Sequence, residues 1–167
     1  MAQTAPVDRV WIAAEFVKGI DAERSLAANA KARAESPPDP ALGVLYHEIA
    51  GADERHASVL ETIAIRYGHT PSRTSGGGVS RAWEQLKDKV GNLGSSAMDQ
   101  LSWDQMTKAQ SVHWHAAWVH TFGAIGDTES SRELSVVLAE EQAHRNALQQ
   151  SLNRMVEQHA RGDVRVK

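Results

Sequence analysis

The placement of helix breakers constrains this chain more than any other feature. Pro37, Pro38 and Pro40 crowd into one loop and Pro71 sits in another. Between them run long stretches rich in Ala, Leu, Glu, Gln and Arg. Proline has no amide hydrogen and clashes with the preceding turn, whereas the residues between are strong helix formers. The chain therefore reads as long helices interrupted at a few sharp points. Four are predicted: residues 7–34, stopped by Ser36-Pro37-Pro38-Asp39-Pro40; 41–67, stopped at Gly68; 98–125, stopped at Gly126-Asp127; and 130–160.

Short turns join the first helix to the second and the third to the fourth. About 30 residues separate the second from the third, the kind of long connection that links two helical hairpins in one class of four-helix bundle. This crossover contains Ser75-Gly76-Gly77-Gly78 and then an amphipathic stretch, 79–90, with Trp83, Leu86 and Val90 at helical spacing. A short helix is expected there. The predicted fold is all-α: a four-helix bundle of two hairpins, residues 1–160 as one domain and 161–167 as a disordered tail.

A chain of 167 residues suits one domain with a real core. The absence of cysteine excludes disulfides, thiolate metal sites and a cysteine nucleophile. A net charge of −3 argues against nucleic acid as the main partner. No apolar run is long enough to cross a bilayer, and the first residues lack the basic start and apolar stretch of a secretory signal. The expectation is a soluble cytoplasmic protein with no nucleic-acid or membrane partner. Gly76-Gly77-Gly78 lacks a P-loop lysine and reads as a flexible linker, and no strand-turn-helix context supports a serine nucleophile.

The two halves repeat weakly: few positions are identical, but the apolar ones keep phase. A shift of 88 residues, the separation of Glu23 and Ser111, brings Asp39 onto Asp127, Ile49 onto Val137, Asp53 onto Glu141, His56 onto His144 and Leu60 onto Leu148. The halves thus contain Asp53-x-x-His56 and Glu141-x-x-His144 at equivalent places. A spacing of three puts carboxylate and imidazole on one helix face, a turn apart. That face also carries Tyr46, Ile49, Leu60 and Ile63 in one half and Leu134, Val137, Leu148 and Leu152 in the other, so it points inward. Eight histidines and 21 acids yield about one such match by chance; equal repeat position and inward phase give the pair its weight. Carboxylates in a core are costly unless paired or bound to metal. The plainer alternative is solvation, or pairing with Arg55, Arg66 or Arg145.

A di-metal bundle site needs one further carboxylate from each remaining helix. On the first helix Glu23 lies in the inward stripe of Phe16, Ile20, Ala27, Ala30 and Ala34. Glu15 lies off that line and reads as a surface partner for Lys18. On the third helix the equivalent position is Ser111, a poor substitute for a carboxylate. His115, one turn on, faces inward with Trp118 and Phe122; it is either a nitrogen ligand or a core histidine bonded to Glu23 or Glu141. Asp104 is two turns away, too far to join, and His113 and His120 fall on the opposite face. Trp118 reads as packing. Ala50-Gly51-Ala52 suggests a close helix approach. Trp11, Trp103 and Trp114 lie off the main stripes, marking a dimer surface or covering helix ends.

Asp21-Ala22-Glu23-Arg24, Ala52-Asp53-Glu54-Arg55-His56 and Leu138-Ala139-Glu140-Glu141-Gln142-Ala143-His144, together with the crossover segment Ser80-Arg81-Ala82-Trp83-Glu84-Gln85-Leu86-Lys87, resemble the ferritin-like superfamily over residues 8–158. More narrowly the chain looks like small bacterial bundles related to rubrerythrin, several linked to stress response. The resemblance implies a carboxylate-and-histidine iron site, with manganese or zinc as alternatives, doing ferroxidase, peroxidase or oxygenase work with O2 or peroxide. Glu23, Asp53, His56, Glu141 and His144 match its ligands, and His115 could fill the gap at Ser111. Asp53 is one methylene shorter than the glutamate of the pattern, and no rubredoxin-type cysteine pair is present, so redox turnover would need an outside reductant. The competing expectation is a metal-free bundle of the same fold acting as a stress-associated binding or assembly protein. In that case Glu141→Ala would leave activity unchanged and could raise stability by removing a buried charge.

Overall fold

A computed structural model describes residues 7–70 and 96–162 of the chain. These residues form four long helices and, among them, no strand: α1 (Arg9–Glu35), α2 (Gly43–Arg66), α3 (Ala97–Ile125) and α4 (Thr128–Ala160). α1 packs along α2 and α3 along α4, with α2 and α4 in contact between the two hairpins. The short amphipathic helix expected at 79–90, and residues 163–167 of the expected tail, lie outside the described residues.

The helix ends follow from local chemistry. Asp8 and Ser96 cap α1 and α3 through their side chains. The second helix begins two residues later than expected, because Pro40–Leu42 form a 3-10 turn capped by Asp39. At the far end of α2, Gly68 adopts a left-handed φ of 100°, and His69 donates its amide to the Ala64 carbonyl. Gly126 ends α3 in the same way, with φ 82° and the Asp127 amide on the Phe122 carbonyl. This closing motif strongly favours glycine.

Two apolar clusters fill the bundle. One gathers Ile12, Phe16, Ile20, Leu60, Ile63, Trp118, Phe122 and Leu134; the other gathers Ala30, Leu42, Tyr46, Ile49, Leu101 and Leu148. Trp118 packs edge-on to Phe16 at 4.8 Å, as expected of a packing residue. Trp114 is also drawn inward, 5.5 Å from Phe16, over Gly19. A Cβ at Gly19 would lie 2.7 Å from the Trp114 ring, so this glycine makes the close helix approach. At Ala50-Gly51-Ala52 the two alanines are buried, but a Cβ at Gly51 would meet only Arg55 of the same helix, at 3.8 Å, so the close approach expected there is not made at this glycine.

A tyrosine-to-aspartate bond crosses between the hairpins at each end. Tyr46 donates to Asp104 at 2.7 Å, with Arg33 on the same carboxylate; Tyr67 donates to Asp127 at 2.8 Å. Asp127 also accepts from the Ser130 amide at 3.0 Å and so caps α4. Burial alone would raise the Asp127 pKa, but the Ser130 and Tyr67 hydrogen bonds outweigh it and hold the carboxyl below its usual value. The stability Asp127 contributes is therefore present above the unfolded pKa and lost as pH falls through the depressed one. Asp127→Ala is expected to cost about 1–2 kcal/mol at pH 7. Urea unfolding should show the gap to the parent protein closing below about pH 4.

Candidate metal centre

Between the two apolar clusters lies a buried polar layer. α1 brings Glu23; α2 brings Asp53 and His56; α3 brings Lys108, Ser111 and His115; α4 brings Glu141 and His144. Glu23, Asp53, His56 and Glu141 converge: one ligand atom from each lies within 4.8 Å of the others, and all four are at most 2% exposed. The sequence put these four on inward faces of three helices, and the fold brings them to one point.

His56 is oriented from both sides. Its Nδ1 faces the group, 3.0 Å from Glu141 and 3.8 Å from both Glu23 and Asp53. Its Nε2 lies 2.9 Å from Glu140, a half-exposed carboxylate also held by Arg55. Burial opposes charge on the ring, yet the Glu141 hydrogen bond and the nearby charges of Glu23 and Glu141 more than offset it and raise the pKa to about 10. Each ring nitrogen thus faces a carboxylate, Glu141 on one side and Glu140 on the other, an arrangement that favours the protonated ring.

The second cation is Lys108, which the sequence reading did not single out. It is 3% exposed, and its ammonium donates to Asp53 and, at 2.7 Å, to Glu141. Burial works against this charge too, but Asp53 and Glu141 together hold the pKa above its ordinary value. Glu141, buried but bonded to His56 and Lys108, is held down at about 2. Asp53 goes the other way: burial, with Glu23 and Glu141 nearby, pushes it up to about 8 against the pull of Lys108. Two cations facing three buried carboxylates leave one acid in excess, and Asp53 is the group that most readily takes a proton.

The remaining candidates fall around this group. His115 is fully buried, as expected, with Nδ1 3.0 Å from the Ser111 carbonyl. It is bonded to neither Glu23 nor Glu141: Nε2 stands 3.6 Å from Glu23 and has no hydrogen-bond partner. Burial depresses its pKa. Ser111 donates to Glu23 at 3.2 Å. His144 is buried outside the convergent four, with Nε2 3.9 Å from Glu48 and Nδ1 without a partner. Glu15 pairs with Lys18, and His113 and His120 are exposed, as the helical phases require. Arg55 and Arg66 pair with Glu140 and Glu133, and Arg145 with Asn146, so the internal partner of the core acids is a lysine and none of the arginines.

The donor set fits a metal ion. Glu23 Oε2, Asp53 Oδ2, Glu141 Oε2 and His115 Nε2 are all buried without a hydrogen-bond partner. Orphaned buried polar atoms are rare and costly, and a cation satisfies several at once. Oxygen and imidazole donors without sulfur suit iron, manganese or zinc. A pocket of about 290 Å³ between α1 and α3, lined by Ala22, Leu26, Thr107 and Trp114, reaches Glu23 and Ser111. Compared with family models, curated proteins and solved structures, the chain finds no match.

Removing Glu141 takes away the acceptor of both Lys108 and His56. Glu141→Ala is therefore expected to destabilise the metal-free protein by about 3–5 kcal/mol, against the stabilisation a lone buried carboxylate would predict. The urea midpoint in the presence of a chelator measures this.

Proposed function

We propose that this chain is a metal-binding four-helix protein of the ferritin-like type, whose centre is Glu23, Asp53, His56 and Glu141. The observation that carries the reading is the attitude of His56. Its Nδ1 points among three carboxylates that each keep an unpartnered buried oxygen, while Glu140 fixes the far side of the ring. A carboxylate on the far nitrogen is the usual way of orienting a ligand histidine and raising its basicity.

Iron, the metal that the ferritin-like resemblance implies, is preferred, with manganese second; three carboxylates and one imidazole form a hard, anionic donor set compatible with either. Such an ion supplies binding and one-electron chemistry toward O2 or peroxide. The residues do the rest. The apolar clusters on either side exclude bulk water from the carboxylates. Glu140, linked to His56 and open to solvent, offers a route for a proton between the ring and the surface. The pocket beside Glu23 and Ser111 gives a small reactant a way in. With no cysteine in the chain, electrons for turnover come from an outside donor.

One observation favours a second reading. Lys108 and His56 already bond to the buried acids, as they would in a metal-free bundle that uses the layer as a structural ion network. Metal content decides between the two. Untagged protein, loaded aerobically with iron(II) or manganese(II) and desalted, is expected to retain about one equivalent per chain, lost in His56→Ala and Glu23→Gln. Less than about a tenth of an equivalent on folded protein would leave the structural network as the function of the layer.

A further inference from the structure

The repeat predicts two half-centres. Glu23, Asp53 and His56 of the first hairpin converge with Glu141 of the second. The same shift of 88 residues turns this set into Ser111, Glu141 and His144 of the second hairpin with Asp53 of the first. The first half is complete and the second is not. Ser111 contributes no carboxylate, and its hydroxyl turns to Glu23 and His115 instead. Asp53 and Glu141, the two acids common to both halves, are instead joined by the Lys108 ammonium.

We infer that Lys108 stands in for a second metal ion, so that the protein holds one divalent cation beside a fixed ammonium. The inference rests on the centre proposed above. Charge supports it: three buried carboxylates are balanced by one divalent ion and one ammonium, whereas two divalent ions beside Lys108 would bury an excess of two positive charges. An uncompensated buried charge is strongly unfavourable. Position supports it too. Lys108 is 3% exposed and lies on α3 one turn before Ser111, and its head reaches the shared acids. His144, the counterpart of His56 in the incomplete half, is buried with its Nδ1 unpartnered.

The test counts manganese. The parent protein and the double variant Ser111→Glu/Lys108→Ala, which rebuilds the second half, are loaded with manganese(II), desalted and analysed by mass spectrometry and electron paramagnetic resonance. The expectation is one isolated ion per chain in the parent, and two magnetically coupled ions in the double variant. Two ions in the parent, or no gain in the double variant, overturns the inference. No ion in the parent but one or two in the double variant upholds the role of Lys108 while removing the proposed function of the native centre. Lys108→Met guards against misfolding of the double variant. In chelator it is expected to melt about 10 °C below the parent, and manganese(II) should raise its melting temperature more than the parent's. An equal or smaller rise overturns the inference.

Discussion

Lys108 lies across Asp53 and Glu141 in the middle of the bundle, and the rest of the architecture accommodates that contact. Three carboxylates buried on facing helices repel one another and resist desolvation, and cations between them offset that cost. Lys108 and His56 supply the cations, each reaching an acid from another helix. The apolar clusters on either side keep water out, which strengthens these ion pairs and makes the loss of any one partner costly. The two tyrosine-to-aspartate bonds join the hairpins outside this layer, at either end.

Much of this was legible in the sequence. Breaker positions gave the four helices to within a few residues, and inward periodicity placed Glu23, Asp53, His56, His115, Glu141 and His144 in the core. The weak repeat pairs the two acid-x-x-His motifs in the sequence itself. The late start of α2 was harder, since a 3-10 turn at Pro40–Leu42 carries the same residues as a helix onset. Lys108 was missed for a physical reason. It falls on the stripe of Asp104, Ser111, His115 and Trp118, but a lysine on a helix ordinarily carries its charge to water. Only the proximity of Asp53 and Glu141, from two other helices, makes burial tolerable, and that proximity is tertiary. Glu140 was hidden similarly: its contact with His56, on another helix, is tertiary.

The chemistry proposed for the layer follows from what remains unsatisfied. A purely structural network would use up its hydrogen-bonding capacity, yet each of the three central carboxylates keeps one buried oxygen free, and His115 Nε2 faces the same region. These atoms belong to the complete half of the repeat or border it, while Lys108 joins the two acids shared with the incomplete half. One divalent ion in the first and an ammonium in the second would satisfy the centre and neutralise its acids together.

The most direct test is a crystal of manganese-loaded protein measured at the metal's absorption edge. A single anomalous peak bounded by Glu23, Asp53, His56 and Glu141 is expected, with the Lys108 ammonium still against Asp53 and Glu141. An intact bundle with no peak at that position, or with a second peak where Lys108 should be, would contradict the proposed centre.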